Sequence, residues 1–226
     1  MLSTLTTAQA DFQDTRSVAY RLRLRRLAHF VSLLDAATLA KKPHPVKLLD
    51  VGGSIKFWKI LGLAAREDID FTILNIVPRD DEDNRFQYLT GDARDLSRFD
   101  DGEFDIVFSN SVIEHVGGWE DQERMAREVR RVGRRYFVQT PNRYFPIEPH
   151  FLFPGFQFLP ESAKVSLLMR FRLGWFPKAK THEEALGYAR EIRLLTRREF
   201  QKLFPESRLI SEKFCGLTKS FMAVRG

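Results

Sequence analysis

Cysteine is almost missing from this chain. A single one, Cys215, in 226 residues excludes an internal disulfide and a cysteine-rich zinc site. No apolar run reaches the roughly 18 residues that a membrane-spanning helix needs. The first residues, MLSTLTTAQADFQDT, have neither the basic nor the apolar region of a secretory leader. These absences lead to the expectation of a reduced, cytoplasmic protein with no transmembrane segment. GxGxxG, the dinucleotide fingerprint, does not occur either, which disfavours a nicotinamide oxidoreductase. Internal repeats and low-complexity tracts are absent as well.

What is present suits one globular unit with an insertion: 43% of the residues are hydrophobic, enough for a real core at this length. The net charge of +6 is unevenly spread. Residues 66–105 hold 13 Asp/Glu against 5 Lys/Arg, whereas from Arg124 onward 21 basic residues face 9 acidic ones. Such asymmetry favours anionic partners or is only a solvated surface. Charge alone does not choose.

The most informative stretch is VKLLDVGG, Val46–Gly53, with the SIKFW that follows. Its apolar run reads as a buried strand. Gly52 and Gly53 allow a tight turn and a close approach, and Ser54 is a suitable N-cap for a helix running through IKFWKILGLAA. Strand, glycine turn and helix start make a cradle for a nucleotide-type ligand, although paired glycines also serve ordinary turns.

Before it, residues 1–14 read as frayed, and apolar positions Leu24, Leu27, Val31 and Leu34 predict a helix from Thr15 to about Leu39. Its arginines, Arg21, Arg23, Arg25 and Arg26, either face water or contact anionic groups as a flap. After it, FTILNIV (71–77), Phe86–Leu89, FDIVFS (104–109) and RYFVQT (135–140) read as further strands, with a helix over Trp119–Val132. Alternating strands and helices predict parallel crossovers. Thr196 and Glu199 form a capping box for a helix over 196–204. Two closing strands, 208–214 and 217–224, are joined by Cys215-Gly216 as a hairpin.

These stretches carry a resemblance. LLDVGGS, LTGDARDLSRFDDGEFDIVFSNSVIEHV, RRYFVQTPNRYFPIEPH and the closing hairpin resemble class I S-adenosylmethionine-dependent methyltransferases of the small-molecule branch. The resemblance runs from about Val46 to Gly226 and is weakest between Asn142 and Leu195. It implies an α/β fold: a doubly wound, mostly parallel, seven-stranded Rossmann-like sheet ending in an antiparallel hairpin. It also implies an N-terminal helical segment (1–45), a methyltransferase domain (46–226), and a substrate-lid insertion (142–195) between strand 5 and the last helix. The implied cofactor is S-adenosyl-L-methionine. Asp50 would stand near its ammonium, Gly52 and Gly53 beside its methionine and ribose, and Asp92 and Ala93 at the adenine. Ser109 and Asn110 would lie beneath the methionyl end. Gly-Asp is also ordinary turn chemistry, so Asp92 has a structural reading beside the functional one.

Two positions depart from the family pattern. Ser54 or Ile55 stands where another glycine is usual. Asn75 stands where an acidic residue usually grips both ribose hydroxyls. An amide recognises a ribose without charge assistance, so a neighbour such as Arg79 or Asp80 would have to compensate.

Methyl transfer is an in-line displacement, for which an acceptor hydroxyl benefits from a base. His115, Glu148 and His150 are the catalytic candidates, with Tyr144 beside them; His115 also reads as a structural histidine at a helix start. The five histidines show no metal-ligand spacing, and no metal is expected. The aromatic stretch Phe151–Pro177, trailed by Lys178 and Lys180, suggests a lid over an aromatic or prenyl-like acceptor, or a peripheral membrane contact. It reads equally as a small satellite core. SNSVIEH replaces the Asn/Asp-Pro-Pro-aromatic turn of base-amino methyltransferases, which disfavours nucleic acid. The expectation is therefore methyl transfer to a small-molecule or lipid-like acceptor, at oxygen. The alternative is a non-catalytic binding or scaffolding protein on a degenerate methyltransferase fold.

Overall fold

A computed structural model describes residues 18–78 and 83–226. The frayed start expected at 1–14, and the compensating role considered for Arg79 and Asp80, lie outside them.

Five parallel strands form the sheet's core: β1 (Val46–Val51), β2 (Ile69–Asn75), β3 (Phe86–Thr90), β4 (Phe104–Asn110) and β5 (Gly133–Pro141). Two short strands, β6 (Ile147–Glu148) and β7 (Phe153–Pro154), make a separate antiparallel pair. β8 (Arg208–Phe214) and β9 (Leu217–Arg225) close the main sheet, whose order is β3-β2-β1-β4-β5-β9-β8. β9 runs antiparallel to both β5 and β8. This is the seven-stranded, mostly parallel sheet with a terminal hairpin that the resemblance implies. The hairpin turns at Cys215 and Gly216, both at positive φ (49° and 79°), as a two-residue type I′ turn requires.

β1 and β4 are buried along nearly their whole length because both of their faces are covered. On one face lie α1 (Val18–Lys41) and the short α2 (Ile55–Ile60), packing Phe30 and Trp58 against Phe108. On the other lie α3 (Trp119–Val132) and, after the insertion, α6 (Arg197–Leu203). Met125, Val129 and Val132 of α3 are fully buried, as their spacing predicts. The capping box of Thr196 and Glu199 at α6 is also present.

Two local expectations need correction. The buried face of α1 is Leu22, Leu27, Phe30, Leu33, Leu34 and Ala37, whereas Leu24 is 44% exposed. Apolar residues occur around much of this helix, so periodicity alone leaves its rotation open. α2 stops at Ile60 instead of running through IKFWKILGLAA. Leu61 caps it, and Gly62 at φ 70° turns the chain away.

Between β5 and α6 the chain builds α4 (Glu161–Arg170) and α5 (His182–Glu191) around a small core of its own. Phe151 stacks on Phe156 at 3.9 Å and on Phe176 at 4.6 Å. Phe158, Phe171 and Trp175 remain about half exposed. The aromatic stretch thus divides between a packed interior and a surface. Among the described residues no helix is long and apolar enough to cross a membrane.

Candidate active site

Open parallel sheets bind ligands beyond the carboxyl ends of their strands, where the strand order reverses. Here a cavity of about 270 Å³ opens at that edge, lined by Gly52 after β1, Asn75 at the end of β2, Asp92 and Ala93 after β3, and Ser111, Val112 and His115 after β4. Four predicted cofactor residues (Gly52, Asn75, Asp92 and Ala93) therefore meet around one space.

Asp50 and Gly53 stand just behind it. Asp50 is buried and accepts a hydrogen bond from Trp58 Nε1 at 2.7 Å. Burial pushes its carboxyl up to about 7, against the pull of the indole N–H. A Cβ on Gly53 would fall inside that carboxylate. Gly52, at φ 78°, would bring a Cβ within 2.5 Å of Val112 Cγ2. Both glycines are therefore required by what touches them. Ser54 caps α2 by accepting from the Phe57 N–H.

Asn75 is committed at both ends of its amide. Its Nδ2 donates to Gly53 O at 2.9 Å, and its Oδ1 accepts from the Val77 N–H at 3.1 Å. It ties the glycine turn to β2. A carboxylate in its place could not donate to that carbonyl.

Asp92 is also engaged. Its carboxylate takes the Arg94 N–H at 2.8 Å and the Arg94 guanidinium at 2.5–3.0 Å, which holds it below the usual carboxylate range. The Asx turn and a site facing the cavity coexist in one side chain. Ser109 is buried beneath the floor and donates to Val51 O, joining β4 to β1. The Oδ1 of Asn110 is buried without a hydrogen-bond partner.

The catalytic candidates converge at one side of the cavity. His115 and His150 meet edge to face, with ring centroids 4.8 Å apart. Glu148, buried in β6, binds His150 Nδ1 at 2.7 Å and accepts from the His150 and Phe151 backbone N–H groups. Burial alone would push the His150 imidazole down; the hydrogen bond and charge of Glu148 carry it above its ordinary value. Burial, helped by the charge of His150, pushes His115 down to about 4. Glu114 lies between the two elements, fully buried, with Oε2 accepting from Thr140 Oγ1 at 3.0 Å. Its backbone carbonyl accepts from the Arg193 N–H. Tyr144 is 66% exposed and makes a stacked contact with Phe158.

A methyltransferase-domain family model matches residues 60–136. The match covers about a third of the chain. The matched segment runs from the end of α2 into β5, and so carries Asn75, Asp92, the cavity wall after β4, and Glu114–His115. An uncharacterized protein of Mycobacterium tuberculosis strain H37Rv, Rv1509, is 30% identical over 131 residues, 52% of this chain and 43% of that one. The chain thus matches less than half the length of that relative. Among solved structures, a Rhodobacter sphaeroides chain provisionally called a Zn-dependent alcohol dehydrogenase aligns with TM-score 0.52 at 14% identity, over 84% of this chain and 87% of that one. At that identity the likeness concerns the fold alone. A Haloferax volcanii chain from a complex with the Trm112 methyltransferase activator aligns over 97% and 96% at TM-score 0.48 and 13% identity.

Several residues of this site escape a reading by motif. Trp58 and Thr140 carry no pattern of their own, and Ser111 and Glu114, although inside the SNSVIEHV stretch, had no role assigned there. Ser111 holds the left-handed region (φ 56°) at the cavity rim and donates to Gln139 Oε1 at 2.8 Å. Arg94 had a signal in the Gly-Asp turn two residues before it.

Proposed function

We propose that this protein is a methyltransferase that uses S-adenosyl-L-methionine and methylates a small-molecule or lipid-like acceptor at oxygen. The observation that carries the reading is the convergence of Gly52, Asn75, Asp92 and Ala93 on one cavity, with the Asp50 carboxylate behind it. The residues fit such a cofactor on two counts. The glycine turn brings the Gly52 backbone to the wall of the hollow. The Asp92 carboxylate lines the hollow, for an adenine amino group, and the buried Asp50 carboxylate stands behind the glycine turn, for an ammonium. When bound, the cofactor supplies an electrophilic methyl group.

The chain's own task is then to hold an acceptor in line, exclude water and remove a proton. Glu148 fixes the His150 ring through Nδ1, which leaves Nε2 as the atom for the acceptor's proton. His115 lines the cavity wall beside it. A second hollow of about 190 Å³, bounded by Phe156, Lys164, Arg143 and Glu148, offers an apolar wall with cationic groups for the acceptor. The exposed Phe158, Phe171 and Trp175, with Lys178 and Lys180 nearby in the chain, support peripheral membrane contact as the route for a lipid-like acceptor. No specific observation favours the scaffolding alternative.

Calorimetric titration with S-adenosylmethionine and S-adenosylhomocysteine tests the reading. Binding in the micromolar range, weakened by Asp92→Ala, is expected. Folded protein, free of copurified nucleotide, that binds neither compound would overturn it.

A further inference from the structure

We infer that Glu114, His115 and His150 form a binding site for a transition-metal dication at the edge of the cavity. They come from two separate parts of the chain. Glu114 and His115 follow β4, and His150 sits between β6 and β7. One potential ligand atom from each lies within 4.8 Å of the others.

Two imidazoles and one carboxylate are the donor set of zinc and of non-haem iron or manganese sites with open positions. Such ligands stand about 2.0–2.2 Å from the ion, so a tetrahedral pair of them lies about 3.4 Å apart. The cluster closes by about 1–1.5 Å on taking up the ion.

An independent observation points to the same place. Glu114 is fully buried, and its Oε1 has no hydrogen-bond partner. That oxygen is 4.0 Å from His150 Nε2. A buried carboxylate oxygen left unpaired is costly, and burial of charge is tolerated chiefly beside a partner or a metal. The other oxygen is already satisfied by Thr140, so the open lone pairs belong to the atom nearest the histidines.

The outer contacts are those a ligand histidine needs. Glu148 binds His150 Nδ1 at 2.7 Å, which sets the ring and turns Nε2 inward; a carboxylate behind a histidine is the usual support of a metal site. The Arg193 N–H fixes the Glu114 backbone at 2.8 Å. His115 also lines the cavity, so the ion's remaining positions face that space and would take an oxygen or nitrogen of the acceptor. This last role rests on the transferase reading; the ion site itself does not. At His150, ligation and proton removal exclude each other, since both use Nε2.

The test is metal titration of the dialysed full chain, with Zn²⁺ by calorimetry and Co²⁺ by visible absorption, and elemental analysis for stoichiometry. One ion per chain is expected. His115→Ala and His150→Ala should each weaken it by about tenfold or more, and Glu148→Gln by about 10- to 100-fold. Thermal melting identifies any variant that has not folded. The remaining histidines, His29, His44 and His182, are exposed, and their joint replacement by alanine should leave the ion bound. Absence of stoichiometric binding, or binding that the triple variant abolishes, would overturn the site. Titration with S-adenosylhomocysteine in parallel separates the two readings: nucleotide binding without metal sinks only this inference, and metal without nucleotide sinks only the transferase.

Discussion

Trp58 donates its indole N–H to Asp50 at 2.7 Å, from the first helix after the glycine turn back to the strand before it. The bond closes the turn from beneath and orients the carboxylate that burial has raised to about 7.

Titration of Asp50 should therefore appear in ligand binding. If the ionised form receives the donor's ammonium, only about a tenth of the protein is competent at pH 6 and about nine tenths at pH 8. Donor affinity should rise about tenfold across that interval, and Asp50→Asn should flatten the rise. Calorimetry at three pH values decides it.

The same group sets a stability trend of opposite direction. Unfolded, Asp50 titrates near about 3.9; folded, near 7, so the native state holds the proton more tightly. Its burial is harmless below the unfolded value, becomes steadily more costly as pH rises toward 7, and is fully expressed above it, at roughly 4 kcal/mol. Asp50→Asn should thus gain more stability over the parent at pH 8 than at pH 5 in denaturant melts.

Asn75→Asp should weaken the protein, although the resemblance leads one to expect an acidic residue there. The amide's donation to Gly53 O would be lost and replaced by repulsion between two oxygens. A destabilisation of about 1–3 kcal/mol is expected, with no tightening of nucleotide binding. A gain in affinity would show that the turn tolerates the change.

Gly53→Ala places a methyl group where the Asp50 carboxylate now sits. Overpacking of this kind costs about 1–3 kcal/mol. The double variant Asp50→Ala/Gly53→Ala should recover part of that loss in a mutant cycle. Purely additive losses would mean the two residues do not compete for space.

Leu168→Ala should disturb the insertion alone. Leu168 is fully buried in the small core with Phe151 and Phe156, and large-to-small changes there cost about 2–5 kcal/mol. Protease sensitivity should rise between 150 and 190 while nucleotide binding stays within about twofold, since the cavity is lined from β1 to β4.

Much of this arrangement can be read along the chain. Strands packed on both faces leave unbroken apolar runs, glycines mark the turn, and Cys215-Gly216 marks the hairpin. What local pattern could not show are contacts made by topology. Glu114 and His150 are 36 positions apart, and they meet because β4 and β5 are neighbours. Asn75 looks like a weakened ribose ligand until its amide is seen holding Gly53. The rotation of α1 was hidden for a different reason: apolar residues surround much of the helix, so only packing on Phe108 and Phe137 selects the Phe30 side.

Asn142 and Leu195 pair as an isolated bridge, and the Arg143 N–H donates to Leu195 O at 3.0 Å. The excursion between them leaves the sheet and rejoins it at one stitch. Such a segment can lengthen, shrink or be swapped with little penalty in chain closure, because the cost grows only slowly with loop length. The sheet is thereby free to carry a different insertion by grafting, with the cavity lined from β1 to β4 left as it is.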